Sequence, residues 1–129
     1  MNVKYTITSF GYKFKNEQDF KRAWIEYLRK TEPCTVFEVE NEEKEPGFPD
    51  VLCINRQTGK ATFYEIKLAR KSGLFKFEPT QPLFYKQHPE LDISVVVFDC
   101  EKKVVTVAKA EWTLKEVLRS GLRVNVRLL

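Results

Sequence analysis

The chain has 129 residues, 43% of them apolar and 31% charged, which suits one folded domain around a single hydrophobic core. No apolar run approaches the roughly 20 residues that span a bilayer, and the opening Met1-Asn2-Val3-Lys4-Tyr5-Thr6 lacks the apolar stretch of a secretory signal, so a cytoplasmic protein with no membrane partner is expected. A formal net charge of +4 is compatible with a polyanionic partner without requiring one, and a single histidine argues against histidine-rich metal sites and paired-histidine ribonuclease chemistry.

In chain order, residues 3–9 form a first candidate strand. Asn16 is a good N-cap, and Asp19 suits the positive end of a helix, which predicts a helix over 17–30 that stops before Pro33. Phe20, Ala23, Trp24, Tyr27 and Leu28 make its apolar stripe. Glu17 falls on the line of that stripe, so its carboxylate is expected to lean coreward and need a partner; the plainer reading is that it stabilises the helix start. Glu26, near Arg22, Arg29 and Lys30, reads as a solvated ion-pair face.

Residues 35–40 look like a strand, 41–47 an acidic connection, and 50–54 and 61–68 two strands joined by the turn Asn55-Arg56-Gln57-Thr58-Gly59-Lys60. The stretch 70–77 is basic and is expected to be irregular. A short helix starts near Pro79 or Thr80, tolerates Pro82 in its first turn, and ends before Pro89, with His88 as a surface or capping residue. Residues 93–98 form a very apolar, central strand and 104–108 another. Thr113 is the expected N-cap of a helix ending at Ser120 with Gly121 just past it, and 124–128 reads as a last edge strand. The order helix, strand, hairpin, helix, strand, strand, helix predicts an α/β fold with a central mixed sheet flanked by helices. Cys34, Cys53 and Cys100 match no zinc spacing and read as buried reduced thiols.

The hairpin carries the chemistry. A turn centred between Gln57 and Thr58 sets Asn55 opposite Lys60 and, by the same register, Asp50 opposite Glu65. Residues directly opposed on antiparallel strands share a face, about 5 Å apart at Cβ, and Lys67, two residues past Glu65, joins them. Two carboxylates that close repel each other, and a cation between them relieves the repulsion. Oxygen ligands suit Mg²⁺, and an adjacent lysine can orient or deprotonate water or stabilise charge on a phosphate. Glu-x-Lys on a strand is common, however, and each piece alone would mean only a solvated face; the pattern gains its meaning from the two acids flanking one hairpin. A one-residue slip would break it.

Gly47-Phe48-Pro49-Asp50 followed by Glu65-Ile66-Lys67 resembles the G-x-PD…ExK signature of the PD-(D/E)xK nucleases, nearest the VRR-NUC branch and the archaeal Holliday-junction resolvases. The resemblance runs over roughly residues 16–100, and the remaining C-terminal residues match nothing recognisable. It implies a restriction-endonuclease-like core. It also implies Asp50, Glu65 and the carbonyl of Ile66 as ligands of Mg²⁺, which Mn²⁺ can replace, with Lys67 catalytic and Glu17 as the helix glutamate. Glu78-Pro79-Thr80-Gln81 is similar to the Ser-Pro-x-Gln pattern of VRR-NUC members, with Glu in place of Ser, and so points more weakly to Gln81. Arg70, Lys71 and Lys76, interleaved with Phe75 and Phe77, would hold nucleic-acid phosphates. The implied activity is metal-dependent endonucleolytic hydrolysis, with DNA the first candidate substrate, branched or junction DNA included, and RNA the second. By analogy with the resolvases, a homodimer is implied. The competing expectations are a catalytically silent nucleic-acid-binding module of the same fold, and an interaction protein whose acids merely pair with lysines.

Overall fold

The computed structural model describes residues 4–8, 10, 13–39 and 45–129. Strand β1 (Lys4–Ile7) is followed by helix α1 (Glu17–Thr31), where Asn16 accepts the Asp19 amide at 2.9 Å, the cap expected from sequence. Strand β2 (Cys34–Glu38) leads to the hairpin of β3 (Val51–Asn55) and β4 (Ala61–Ala69). Asn55 closes its turn, its side-chain oxygen accepting the amides of Gln57 and Thr58 at 2.8 and 3.0 Å. Then come β5 (Leu74–Lys76), α2 (Thr80–Gln87), β6 (Ile93–Asp99), β7 (Val104–Lys109), α3 (Ala110–Ser120) and β8 (Arg123–Asn125), with a short 3-10 turn at Val126–Leu128. Most of the expected acidic connection, residues 41–44, and the ends of two expected strands, residues 3, 9 and 40, lie outside the described residues.

Six strands form one mixed sheet in the order β1-β7-β6-β4-β3-β2. The β4–β6 pair is parallel and needs the crossover that β5 and α2 supply. Side-chain alternation sorts the core into two halves. Ile66, Leu68, Val96 and Phe98 face α1 and pack with Phe20, Trp24 and Leu28. Val95, Val97 and Ala69 face the opposite way and pack with Phe84 and Tyr85 of α2, Ala110 of α3 and Val124 of β8. Strand β6 is buried along its whole length, as a central strand covered on both faces must be.

Three expectations fail. The basic stretch after β4 is not irregular: residues Leu74–Lys76 pair with Arg123–Asn125 as a separate two-stranded ribbon. For the same reason the last strand does not edge the main sheet and is shorter than expected. Thr113 does not cap α3, which starts at Ala110; its hydroxyl bonds back to the Ala110 carbonyl at 2.7 Å, an arrangement that buries a threonine inside a helix without leaving its oxygen unpaired. Cys34 and Cys53 are buried free thiols, and burial, with the Cys34 thiol beside it, pushes Cys53 up to about 12; Cys100 is half-buried.

Candidate active site

The hairpin register is the expected one. Val51 pairs with Tyr64 and Ile54 with Ala61, and Asp50 stands one residue ahead of the first of these pairs, at the open end of the hairpin. The Asp50 amide still donates to the Tyr64 carbonyl at 3.1 Å, and an Asp50 carboxylate oxygen lies 3.4 Å from the Ile66 amide. A strand residue turns its N–H and C=O toward the same neighbour. The Ile66 carbonyl therefore also faces the Asp50 side, where Pro49, next along the chain, has no N–H to offer it.

Glu65 and Lys67 project from β4 toward α2, on the face opposite α1. Both are nearly buried, at 3% and 5% exposure. Buried charges need partners, and α2 brings them. The Lys67 ammonium donates to Gln81 Oε1 at 2.8 Å and stands 5.4 Å over the Phe77 ring. Gln81 Oε1 also accepts the Glu78 amide at 2.9 Å, which ties the residue ahead of the helix start to its first turn. Tyr85 donates to Glu65 Oε1 through a long hydrogen bond of 3.4 Å. Burial above all, and then the negative fields of Glu65 and Asp50, hold the Tyr85 phenol well above its usual range, so it stays a donor.

The loop before Asp50 is pressed on the same helix. Gly47 has φ +88°, and a Cβ there would run into the Thr80 carbonyl and stand 2.9 Å from Phe84 Cβ. Only glycine lets this loop lie on α2.

A groove of about 800 Å³ gathers Glu17, Asp50, Glu65, Lys67 and Gln81 with Arg70, Lys71 and Lys76. Every side chain singled out from sequence thus lines it, except Ile66, whose side chain is core and whose backbone alone faces Asp50. Glu17 corrects one expectation: it does not lean into the core but is exposed in the first turn of α1, reaching the groove at its rim from the other face of the sheet. Phe75 and Phe77 are buried supports and offer no stacking surface. Among the described residues no three His, Cys, Asp or Glu side chains cluster as a ready metal site. An ion here would rest on two carboxylates and a carbonyl, and that all-oxygen set fits Mg²⁺, which keeps several waters.

Sequence reasoning missed Tyr85 and Arg123. Tyr85 was findable, being one helical turn past Gln81 on the same face. Arg123 was not, since only the tertiary fold brings it to the groove.

Fold and site together define a mixed α/β protein with a buried acid–lysine constellation at the open end of a hairpin. No protein-family model matches the chain, and no curated protein matches it.

Proposed function

We propose that the protein is a Mg²⁺-dependent nuclease of the PD-(D/E)xK type with a restriction-endonuclease-like core, cleaving phosphodiester bonds of DNA. The observation that supports this most is that Asp50, Glu65 and Lys67 line one groove rimmed by cations, with an Asp50 carboxylate oxygen 3.4 Å from the amide of Ile66, between Glu65 and Lys67 on β4. When bound, Mg²⁺ would polarise a phosphoryl oxygen and acidify water. Asp50, Glu65 and the Ile66 carbonyl would hold it. Tyr85 holds one oxygen of Glu65 through its hydroxyl. Lys67, held by Gln81, presents its ammonium where it can orient the attacking water or neutralise the phosphate as the P–O bond breaks. Glu17, at the rim, is placed to act through water. Arg70, Lys71 and Lys76 would carry backbone phosphates.

The test is incubation with labelled linear, flapped and four-way DNA, and with RNA, in Mg²⁺, Mn²⁺ or EDTA. Cleavage in metal alone is expected, reduced at least about 100-fold in Asp50→Asn and Lys67→Ala. Binding without cleavage by a folded sample would instead favour a silent nucleic-acid-binding module, and neither would favour an interaction protein.

A further inference from the structure

The ribbon of β5 and β8 places Lys76 directly opposite Arg123. The ladder bonds run from Phe77 to Leu122 and from Val126 to Gly73, at 2.9 and 2.8 Å. Lys76 and Arg123 are therefore a non-hydrogen-bonded pair, the kind in which facing side chains approach closest. Like charges in that position destabilise the pairing of strands. Neither residue forms a salt bridge among the described residues, although both are exposed and line the groove. Glu78 lines the same groove, and two further acids near the ribbon are committed elsewhere. Asp99 is held by Arg127 at 2.9 and 3.2 Å, and Glu101 by Arg127 at 3.0 Å and by the Ser72 amide at 2.9 Å. Those bonds also stiffen the ribbon, as does Gly73 (φ +75°), where a Cβ would stand 2.7 Å from Asn125 Oδ1. The facing residues between the like charges and the sheet, Phe75 and Val124, are buried, so the two cations can only point outward.

A ribbon that sets two cations without a salt bridge side by side, facing outward on the groove, is arranged for an anion. We infer that Lys76 and Arg123 form a clamp for one backbone phosphate of a nucleic-acid strand, separate from the phosphate that is cut. A phosphate can accept from a guanidinium fork and an ammonium together. The inference rests on the nuclease reading for its choice of ligand, and it deepens that reading: the substrate is a polynucleotide gripped at a second phosphate by the C-terminal segment, which the family resemblance does not reach.

The experiment is binding of fluorescein-labelled 20-nucleotide single-stranded DNA, the matching duplex and the matching RNA, in EDTA, as a function of salt. Lys76→Gln and Arg123→Gln are each expected to weaken binding and to lower the slope of log Kd against log salt by about one. Arg123→Glu separates the clamp from a structural role. It turns the repulsive cross-strand pair into an attractive one, so its Tm should equal or exceed that of the wild type while its affinity falls by about 10-fold or more. Affinity and slope unchanged in the double variant Lys76→Gln/Arg123→Gln overturn the clamp. So does a lowered Tm in Arg123→Glu, which would mean that the pair is not repulsive, and so does a wild type that binds none of the three probes. A wild type that binds through these residues but never cleaves with Mg²⁺ removes the nuclease reading and leaves the clamp standing.

Discussion

At the scale of single residues, the site is a problem of burying charge. Lys67 and Glu65 are almost inaccessible, and an isolated ion there would be far less stable than in water. Helix α2 brings a polar side chain to each: Gln81 to the lysine, Tyr85 to the glutamate. Tyr85→Phe keeps the ring packed against Phe77 and removes only the donor. We expect it to lower stability by about 1 kcal/mol. On the nuclease reading it also raises the Mg²⁺ concentration for half-maximal cleavage by roughly 10-fold, as loss of a group orienting a metal ligand does. A denaturant titration and a metal titration of the cleavage rate check the two parts, and no change in either would mean that the 3.4 Å contact holds nothing in place.

At the scale of elements, one helix organises the site. Helix α2 pins Lys67 through Gln81, touches Glu65 through Tyr85 and receives the Gly47 loop. The loop carrying Asp50 is thus fastened both by the β3–β4 hairpin and by α2. Gly47→Ala would force a side chain into the Thr80 carbonyl from a backbone conformation that L-residues avoid. Strain and overpacking together should cost on the order of 3 kcal/mol. Thermal unfolding measures this, and a variant as stable as the wild type would show that the loop can leave the helix freely. Serine should fare no better than alanine, since the obstacle is the first side-chain atom.

For the whole molecule, stability should have an acid and an alkaline limit set by different groups. For Asp92, burial would raise the pKa, but the hydrogen bonds and charges of Lys109 and Lys60 outweigh it, so the carboxyl is held below its usual range. Asp99 behaves alike, with Arg127 and the amides of Lys102 and Glu101 outweighing burial. Both tie together separate parts of the chain: Asp92 joins the starts of β4 and β6 to the end of β7, and Asp99 joins the end of β6 to the 3-10 turn that follows β8. Carboxyls with depressed pKa stabilise the fold fully above the unfolded value of about 4, and that contribution is lost as pH falls through their folded values. Tyr64 and Tyr85 are raised, chiefly by burial. Their effect has the opposite sense: stability is intact below about pH 10 and is lost as pH rises above it, because only the unfolded phenols ionise there. Tm measured against pH should therefore show a broad plateau with both flanks falling. In Asp99→Asn the acid flank should flatten, at the expense of a lower plateau; an unaltered acid flank would remove Asp99 from the account.

How much of this was legible in the sequence depended on how local the determining physics is. The hairpin register followed from one turn, because Asn55 and Gly59 close it within a few residues, and the register then brought Asp50 to the end of the hairpin beside the Tyr64–Glu65 stretch of β4. The α1 cap and stripe were legible for the same reason: both are set within a helical turn. Thr113 misled because hydrogen-bonding to its own helix is as available to a threonine as capping, and only the packing of α3 decides between them. The ribbon was invisible because the residues before α2 find their partner strand almost at the other end of the chain, and no local pattern in a basic stretch signals that pairing. By itself, then, the sequence determined the acid–lysine hairpin, since adjacent strands need only a turn to align them. The tertiary structure alone decided that α2 would bury and orient that constellation, and that Arg123 would stand against Lys76, because both depend on contacts between segments whose separation along the chain carries no geometric rule.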